Sequence, residues 1–377
     1  MKFDSQVVHG TGKCDPATGS ICVPIYQTTT YKHPSLSESC GYDYSRIQNP
    51  TRQALEETIA MLEEGTHGFA YTTGLAADMA VFSLLSAGDH AVISDDVYGG
   101  TYRMIEKIWS RYKVEFTFVD PGNLDAIEAA MRPNTKLVFV ETPTNPTMKV
   151  ADIAAIAKIA KAHGAYTVVD NTFLTPYLQK PLNLGADIVL HSATKFLGGH
   201  HDTMAGLIVV KDPELAEHFK LMVGTEGAGL APLDSWLILR GIKTLALRMQ
   251  RHEENTRKVA EWLRNHPRVE KVYYVGFPDH PGYEISSRQA SGFGGMLSFT
   301  VDSVETVHRV IENVKMIMFA ESLGGTETLI TYPLTQTHAS VPEEARLKLG
   351  ITDRFMRLSV GIEDVQDIID DLAQALN

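Results

Sequence analysis

The chain has three cysteines, Cys14, Cys22 and Cys40, none in CxxC spacing and none beyond the arm-like first stretch. A disulfide scaffold or a zinc site is therefore not expected, and so sparse an odd set suits a reducing cytoplasm. No segment approaches the ~20 consecutive apolar residues of a membrane helix. The opening residues Met1-Lys2-Phe3-Asp4-Ser5-Gln6 lack the apolar centre of a signal peptide. The chain is thus expected in the cytoplasm. Basic charge is also short. With 34 Lys and Arg against 46 Asp and Glu, the net charge of −12 argues against nucleic acid or an anionic membrane as partner. A small anion held in a locally basic pocket is compatible with it. Internal repeats and low-complexity segments are absent.

What is present is an ordinary globular composition, 44% hydrophobic and 21% charged over 377 residues, enough for two domains or one elaborated domain. Residues 1–50 are rich in Gly, Pro, Thr and Tyr without a sustained helical period. They read as an extended arm that contacts a neighbouring subunit. From residue 51 the pattern becomes regular. Helical spacing over Thr51–Glu64 and Leu75–Leu85 precedes a strand at His90–Ser94; a helix at Thr101–Tyr112 precedes a strand at Val114–Val119.

The clearest unit runs from the apolar Leu137–Val140 through a helix capped by Asp152, stopped at Gly164, into the strand Ala165–Val169. Such alternation predicts an α/β fold with a mostly parallel sheet in a large domain, residues 51–245. Residues 246–377 read as a smaller α+β domain, after a largely helical stretch from Trp236 to Asn265 interrupted at Gly241. Its strands are expected at Lys271–Val275, Met296–Val301, Thr328–Tyr332 and Met356–Val360.

Two apolar runs deliver a charged side chain at their ends. Thr167-Val168-Val169 ends in Asp170, and Ile188-Val189-Leu190-His191-Ser192-Ala193-Thr194 in Lys195. Ligands of α/β sheets sit beyond the carboxyl ends of the strands. An acid and a lysine there suit pyridoxal phosphate, which needs an amine for its aldehyde and an acidic partner for its ring nitrogen. Thr72-Thr73-Gly74-Leu75 before a helix offers free N–H groups for a phosphate, although most such turns are simple caps. Ser192 and Thr194 could add hydroxyls, and Gly198-Gly199 permits close backbone approach. Arg46, beside Tyr44, has the planar fork for a phosphate. Tyr98 could stack on a cofactor or act as acid or base. Arg357 could grip a carboxylate. Each of these also has a plain structural alternative: surface turn, core aromatic, ion pair.

Their joint occurrence resembles the Cys/Met-metabolism family of pyridoxal-phosphate enzymes. The stretches that carry the resemblance are Tyr44-Ser45-Arg46 with Asn49-Pro50-Thr51-Arg52, Asp96-Val97-Tyr98-Gly99-Gly100-Thr101, Glu141-Thr142-Pro143-Thr144-Asn145-Pro146 and Val169-Asp170-Asn171-Thr172-Phe173. They continue through His191-Ser192-Ala193-Thr194-Lys195-Phe196-Leu197-Gly198-Gly199-His200, Glu321-Ser322-Leu323-Gly324-Gly325 and Arg357-Leu358-Ser359-Val360-Gly361-Ile362-Glu363. The resemblance spans essentially the whole chain, in order. It implies the aspartate-aminotransferase fold (fold type I), with a seven-stranded sheet, in a homotetramer built as a dimer of dimers.

By the same resemblance, Lys195 would hold the cofactor aldehyde and then act as base, Asp170 would keep the ring nitrogen protonated, and Tyr98 would cover the ring and serve as proton donor. Gly74, Leu75, Ser192 and Thr194 would hold the phosphate, joined by Tyr44 and Arg46 of an adjacent subunit. Arg357, Ser322, Asn145 and Glu321 would meet the amino-acid substrate. The implied reaction is γ-elimination on L-cystathionine to cysteine, 2-oxobutyrate and ammonia, with homocysteine as a further substrate. The alternatives are γ-replacement on an acylated homoserine, then methionine γ-cleavage, which Gly100 disfavours where those enzymes usually carry cysteine. β-Eliminating members generally lack the Asn49-Pro50-Thr51 pattern. Thr72-Thr73-Gly74-Leu75, Phe196 and His201 depart from common family forms. A nicotinamide oxidoreductase lacks its Gly-x-Gly-x-x-Gly here, a metal has only the poor ligand set His200-His201-Asp202, and a catalytically inert scaffold would not need Lys195, Asp170, Tyr98 and Arg357 together.

Overall fold

The computed structural model describes residues 1–11, 14–339 and 341–377. Seven strands form the large sheet: β1 (His67–Tyr71), β2 (His90–Ser94), β3 (Glu115–Val119), β4 (Thr135–Glu141), β5 (Tyr166–Asp170), β6 (Ile188–Ser192) and β7 (Gly206–Val210). Their spatial order is β1-β7-β6-β5-β4-β2-β3. Strand β7 runs antiparallel to both its neighbours, and the remaining pairs are parallel. The other six strands therefore point their carboxyl ends to one edge. Register at that edge places Glu141 level with Asp170, and Asp170 level with Leu190.

Both faces of the sheet are covered, which explains why its strands read as continuous apolar runs. Leu190 and Ile208 pack with Ala77, Phe82 and Phe139 on one face. Val189 and Leu207 pack with Leu55, Ile59 and Ile238 on the other. Each fully buried Leu, Ile or Val contributes about 1.5–3 kcal/mol relative to exposure. The helices are stopped and started by local chemistry. Asn49 caps the helix Pro50–Leu62 by accepting from the N–H groups of Thr51 and Arg52. Thr73 caps Gly74–Phe82, and Asp152 caps Ile153–Ala162.

A second sheet contains β8 (Val269–Tyr273), β9 (Met296–Val301), β10 (Met318–Phe319), β11 (Leu329–Thr331) and β12 (Phe355–Ser359), in the order β10-β11-β12-β9-β8. Leu297, Phe299, Met356 and Leu358 meet Val259, Leu263, Val307, Val310, Ile368 and Leu372 from the helices Leu245–Arg264, Val304–Asn313 and Val365–Leu376. Strand alternation turns Arg357 to the opposite face from Met356 and Leu358.

Among the departures from the expectations above are three elements of the large sheet and the arm. β1 and β7 were not anticipated; β1, His-Gly-Phe-Ala-Tyr, has little strand propensity of its own and is held by five residue pairs to β7. The segment expected as an extended arm begins with a helix, Phe3–His9. Its Val7 is 2% exposed, and Phe3 meets the edge of Tyr177, so packing supplies the order that the local pattern lacks.

Candidate active site

The loop between β6 and β7 leaves and returns at the carboxyl edge, and it carries Lys195. Gly198 and Gly199 shape it. A Cβ at Gly199 (φ +72°) would lie 2.2 Å from Nη1 of Arg248, and a Cβ at Gly241 would lie 2.1 Å from the Gly198 carbonyl oxygen. Arg248 donates to the carbonyls of Phe196 at 2.6 Å and Gly241 at 2.8 Å, fastening the loop to the helices behind it. The Lys195 ammonium donates to Ser322 Oγ at 2.8 Å. Burial, with Arg357 adding repulsion and Glu321 opposing it, draws the amine down to about 8.

Ser322 sits at φ +89°, a conformation that L side chains rarely adopt. In that pose its carbonyl accepts from Nη2 of Arg357 at 2.7 Å while its hydroxyl faces Lys195. Arg357 is 1% exposed and also donates to Asn145 Oδ1 at 2.8 Å and Thr331 Oγ1 at 2.9 Å. Its Nε finds no partner among the described residues. Burial brings the guanidinium down to about 10. Glu321, exposed, bears electrostatically on Lys195, Tyr98 and Arg357 alike.

At the end of β5, Asp170 Oδ1 accepts from the Thr172 N–H at 2.9 Å and hydroxyl at 2.5 Å. Thr172 in turn accepts from the Ser192 N–H at 2.8 Å, locking β5 to β6. No donor reaches Asp170 Oδ2 among the described residues. Burial raises the Asp170 carboxyl, and the Thr172 bonds and His191 pull it back. Glu141, accepting from the Tyr98 N–H at 3.0 Å, is pushed well above the usual carboxylate range by burial and by Asp170. Asp78, bonded to Thr101, rises to about 8 for the same two reasons.

A Cβ on Gly74 would lie 3.0 Å from Ser192 Cβ, so the start of the helix Gly74–Phe82 and Ser192 form one small concavity. The first N–H groups of a helix have no acceptor inside it. The Thr194 hydroxyl faces Ala205, accepting from its N–H at 3.1 Å and lying 3.3 Å from its carbonyl. Tyr98 begins the helix Gly99–Lys107 and is 40% exposed. A Cβ at Gly100 would fall 2.4 Å from its ring carbon Cε1, so the glycine leaves the room that the phenol ring takes. Burial and Glu321 raise the phenol, keeping it protonated.

These residues fit pyridoxal phosphate. An amine, a carboxylate with one oxygen free, and a small-residue cradle at a helix start share one edge of the sheet. Tyr44 and Arg46 do not join them. Arg46 donates to the Gly224 carbonyl and lies 5.5 Å over the Tyr44 ring, in the exposed arm. Sequence reasoning missed Thr172 and Thr331 and gave Glu141 and Arg248 no role. Thr172 carried a usable signal, a hydroxyl two residues past a strand-end acid. Thr331 and Arg248 carried none, since their partners lie 26 and 52 residues away. A cavity of about 720 Å³ between Lys149, Tyr273, Phe277 and His280 contains none of the predicted residues.

Comparison with known proteins agrees with this geometry. A model of the Cys/Met metabolism PLP-dependent enzymes matches residues 4–377. Cystathionine gamma-lyase of Bacillus subtilis (strain 168) is 51% identical over 376 residues, covering 100% of this chain and 99% of the relative. Cystathionine beta-lyase of Lactococcus lactis subsp. cremoris (strain MG1363) is 52% identical over 372 residues, covering 99% and 98%. The crystal structure of cystathionine gamma-lyase from Lactobacillus plantarum complexed with L-serine superposes with a TM-score of 0.97 at 47% identity, covering 100% and 98%.

Proposed function

From the premise that the chain belongs to the Cys/Met metabolism family of PLP-dependent enzymes, we propose that it cleaves L-cystathionine at the γ-carbon, releasing cysteine, 2-oxobutyrate and ammonia. The observation that carries the reading is the pairing of two proton carriers at one edge of the sheet. One is an amine brought down to about 8, the other a phenol kept protonated. Expulsion of a γ-sulfur needs both, one to accept carbon-bound protons and one to protonate the departing sulfur.

When bound, pyridoxal phosphate supplies an electron sink that acidifies the carbons beside the substrate nitrogen. Lys195 would bind it and accept the Cα proton, with Ser322 Oγ fixing the amine's direction. Asp170 would meet the ring nitrogen through Oδ2, its rotamer locked by Thr172. Gly74, Leu75, Ser192 and Thr194 would hold the phosphate. Arg357, held by Asn145, Ser322 and Thr331, would orient the α-carboxylate. Tyr98 would deliver the proton to sulfur, and Glu321 at the mouth would meet the distal part of the substrate. Tyr44 and Arg46 would reach the phosphate of an adjacent subunit in a homotetramer, which accounts for an arm so exposed in the single chain. We assign the arm to residues 1–50, the cofactor domain to 51–245 and the small domain to 246–377. A cytoplasmic setting fits three exposed, unpaired cysteines.

The test is incubation with L-cystathionine and mass spectrometry of the products. Cysteine with 2-oxobutyrate is expected. Homocysteine with pyruvate would replace the reading by β-cleavage, to which the Lactococcus similarity also points. Neither product, from a protein carrying its cofactor, would shift the assignment to γ-replacement on an acylated homoserine.

A further inference from the structure

The loop that carries Lys195 meets residues 321–326 a second time through His201, which the reaction above leaves unused. Residues 321–326 join β10 to β11 and supply Ser322. Three residues of the loop touch them in succession. Lys195 Nζ donates to Ser322 Oγ at 2.8 Å. Phe196 packs against Gly324, where a Cβ would fall 2.6 Å from the Phe196 backbone nitrogen and 2.9 Å from its ring. The His201 ring lies on Gly325, where a Cβ would fall 1.9 Å from Nε2, 2.3 Å from Cδ2 and 2.4 Å from Cε1.

Gly325 does not take the left-handed backbone that by itself calls for glycine. The three atoms nearest to its missing Cβ all belong to the imidazole, so it is the ring that requires the glycine. Gly325 is buried while the His201 side chain is 26% exposed, so the ring screens the segment from solvent. Its Nε2 also lies 3.7 Å from Glu327 Oε2, just past the segment's end. His201 reaches this place from φ +54°, a backbone uncommon outside glycine that persists where the surroundings fix it.

What the ring holds matters because of Ser322. At φ +89° its hydroxyl meets Lys195 and its carbonyl meets Nη2 of Arg357. Such a backbone relaxes unless its neighbours over-determine it. From the end of β12, Ser359 Oγ accepts from the Gly324 N–H at 2.8 Å, and the Ile362 N–H donates to the Thr326 carbonyl at 2.9 Å. From the large domain, the holding contacts are those of the Lys195 loop.

We propose that His201 is a positioning residue for the reaction. Seated on Gly325, its ring holds residues 321–326 against the Lys195 loop, so that Ser322 stays within reach of both Lys195 and Arg357. This role rests on the assignment of Lys195 to the cofactor and Arg357 to the substrate carboxylate, and deepens it. His201 acts through the segment, not by contact with the reacting atoms.

The experiment compares the parent with His201→Ala, Gly325→Ala and the double variant. Alanine at 201 removes the ring; alanine at 325 puts a methyl where the ring lies and displaces it. Amide hydrogen exchange over residues 321–326 is followed by mass spectrometry in the cofactor-free protein, with steady-state kinetics and thermal melting of the holoenzyme alongside. Each single variant should exchange about tenfold faster over that segment alone. Each should also raise the Michaelis constant roughly tenfold with a smaller change in kcat, for L-cystathionine or for an acylated homoserine if the parent consumes that instead. The double variant should be no worse than either single one, because both remove the same contact. Lower melting temperatures with unmoved exchange and an unmoved Michaelis constant would overturn the proposal and leave the contact structural. Effects that simply add in the double variant would overturn it too. If His201→Ala does not fold, Gly325→Ala decides through its exchange rate and Michaelis constant. A parent that turns over neither substrate would overturn the function proposed above, and this role with it.

Discussion

The carboxyl edge of the large sheet and the arm over residues 14–48 are the two places where functional residues were expected, and they are built in opposite ways. At the sheet edge several polar groups have a partner from a distant part of the same chain: Lys195 with Ser322, Arg357 with Asn145, the Ser192 backbone with Thr172, Glu141 with the Tyr98 backbone. In the arm no residue from 14 to 48 is buried, and Ile21, Ile25, Tyr26, Leu36 and Ile47 are exposed. The arm is fastened at its root. Asn49 and Arg52 bond to Tyr26, Ser45 and Arg46 backbone oxygens. One region is organised by its own chain; the other leaves its apolar side chains exposed in the single chain.

The largest test of this contrast is Lys195→Ala. Turnover should fall by at least about 10³-fold and the cofactor's visible band should be lost, since Lys195 is the amine expected to bind the aldehyde. A retained band would remove Lys195 from its role. Next comes Arg357→Lys, which keeps the charge but not the fork. The Michaelis constant in a steady-state assay should rise on the order of 100-fold with a smaller change in kcat. An unchanged constant would mean that the preorganised guanidinium serves the fold alone.

Acidity offers an intermediate test. The Lys195 amine must be neutral to bind the cofactor aldehyde, and its folded value of about 8 lies below the 10.5 of an unperturbed lysine. About 1% of it is neutral at pH 6 and about half at pH 8. Uptake of pyridoxal phosphate by the cofactor-free protein, followed by stopped-flow absorbance, should therefore quicken some 50-fold across that interval and level off above it. A midpoint near 10 would show that burial does not depress the amine.

The smallest effect is expected in the arm. Arg46→Ala should weaken cofactor binding by about tenfold, the worth of one charge-assisted contact. Dilution of the parent until its subunits separate should produce the same loss, and the variant should then show no further change. If Arg46→Ala weakens the diluted protein as well, the residue acts within its own subunit and the contrast fails.

How much of this was legible follows from how local each signal was. Asp170 and Lys195 stood out because one ends a buried strand and the other follows the next strand within three residues, and such places are visible as apolar runs that stop at a charge. The cap Asp152 was readable for the same reason, acting within three residues of itself. β1 was not legible, because its five residues are a strand only in the company of β7. Thr331 and Arg248 were illegible as well. Their roles arise from partners 26 and 52 residues away, across which a single sequence carries no pairing information.

The sequence by itself determined the alternation of strands and helices, the sites of helix capping, and which charged residues emerge at strand ends, since these depend on neighbours along the chain. Tertiary structure decided the protonation of those residues. Burial beside Arg357 lowers Lys195, burial raises Tyr98, and burial together with the nearby Asp170 raises Glu141 and Asp78. Desolvation and through-space charge depend on where the folded chain brings groups together, not on their spacing along it.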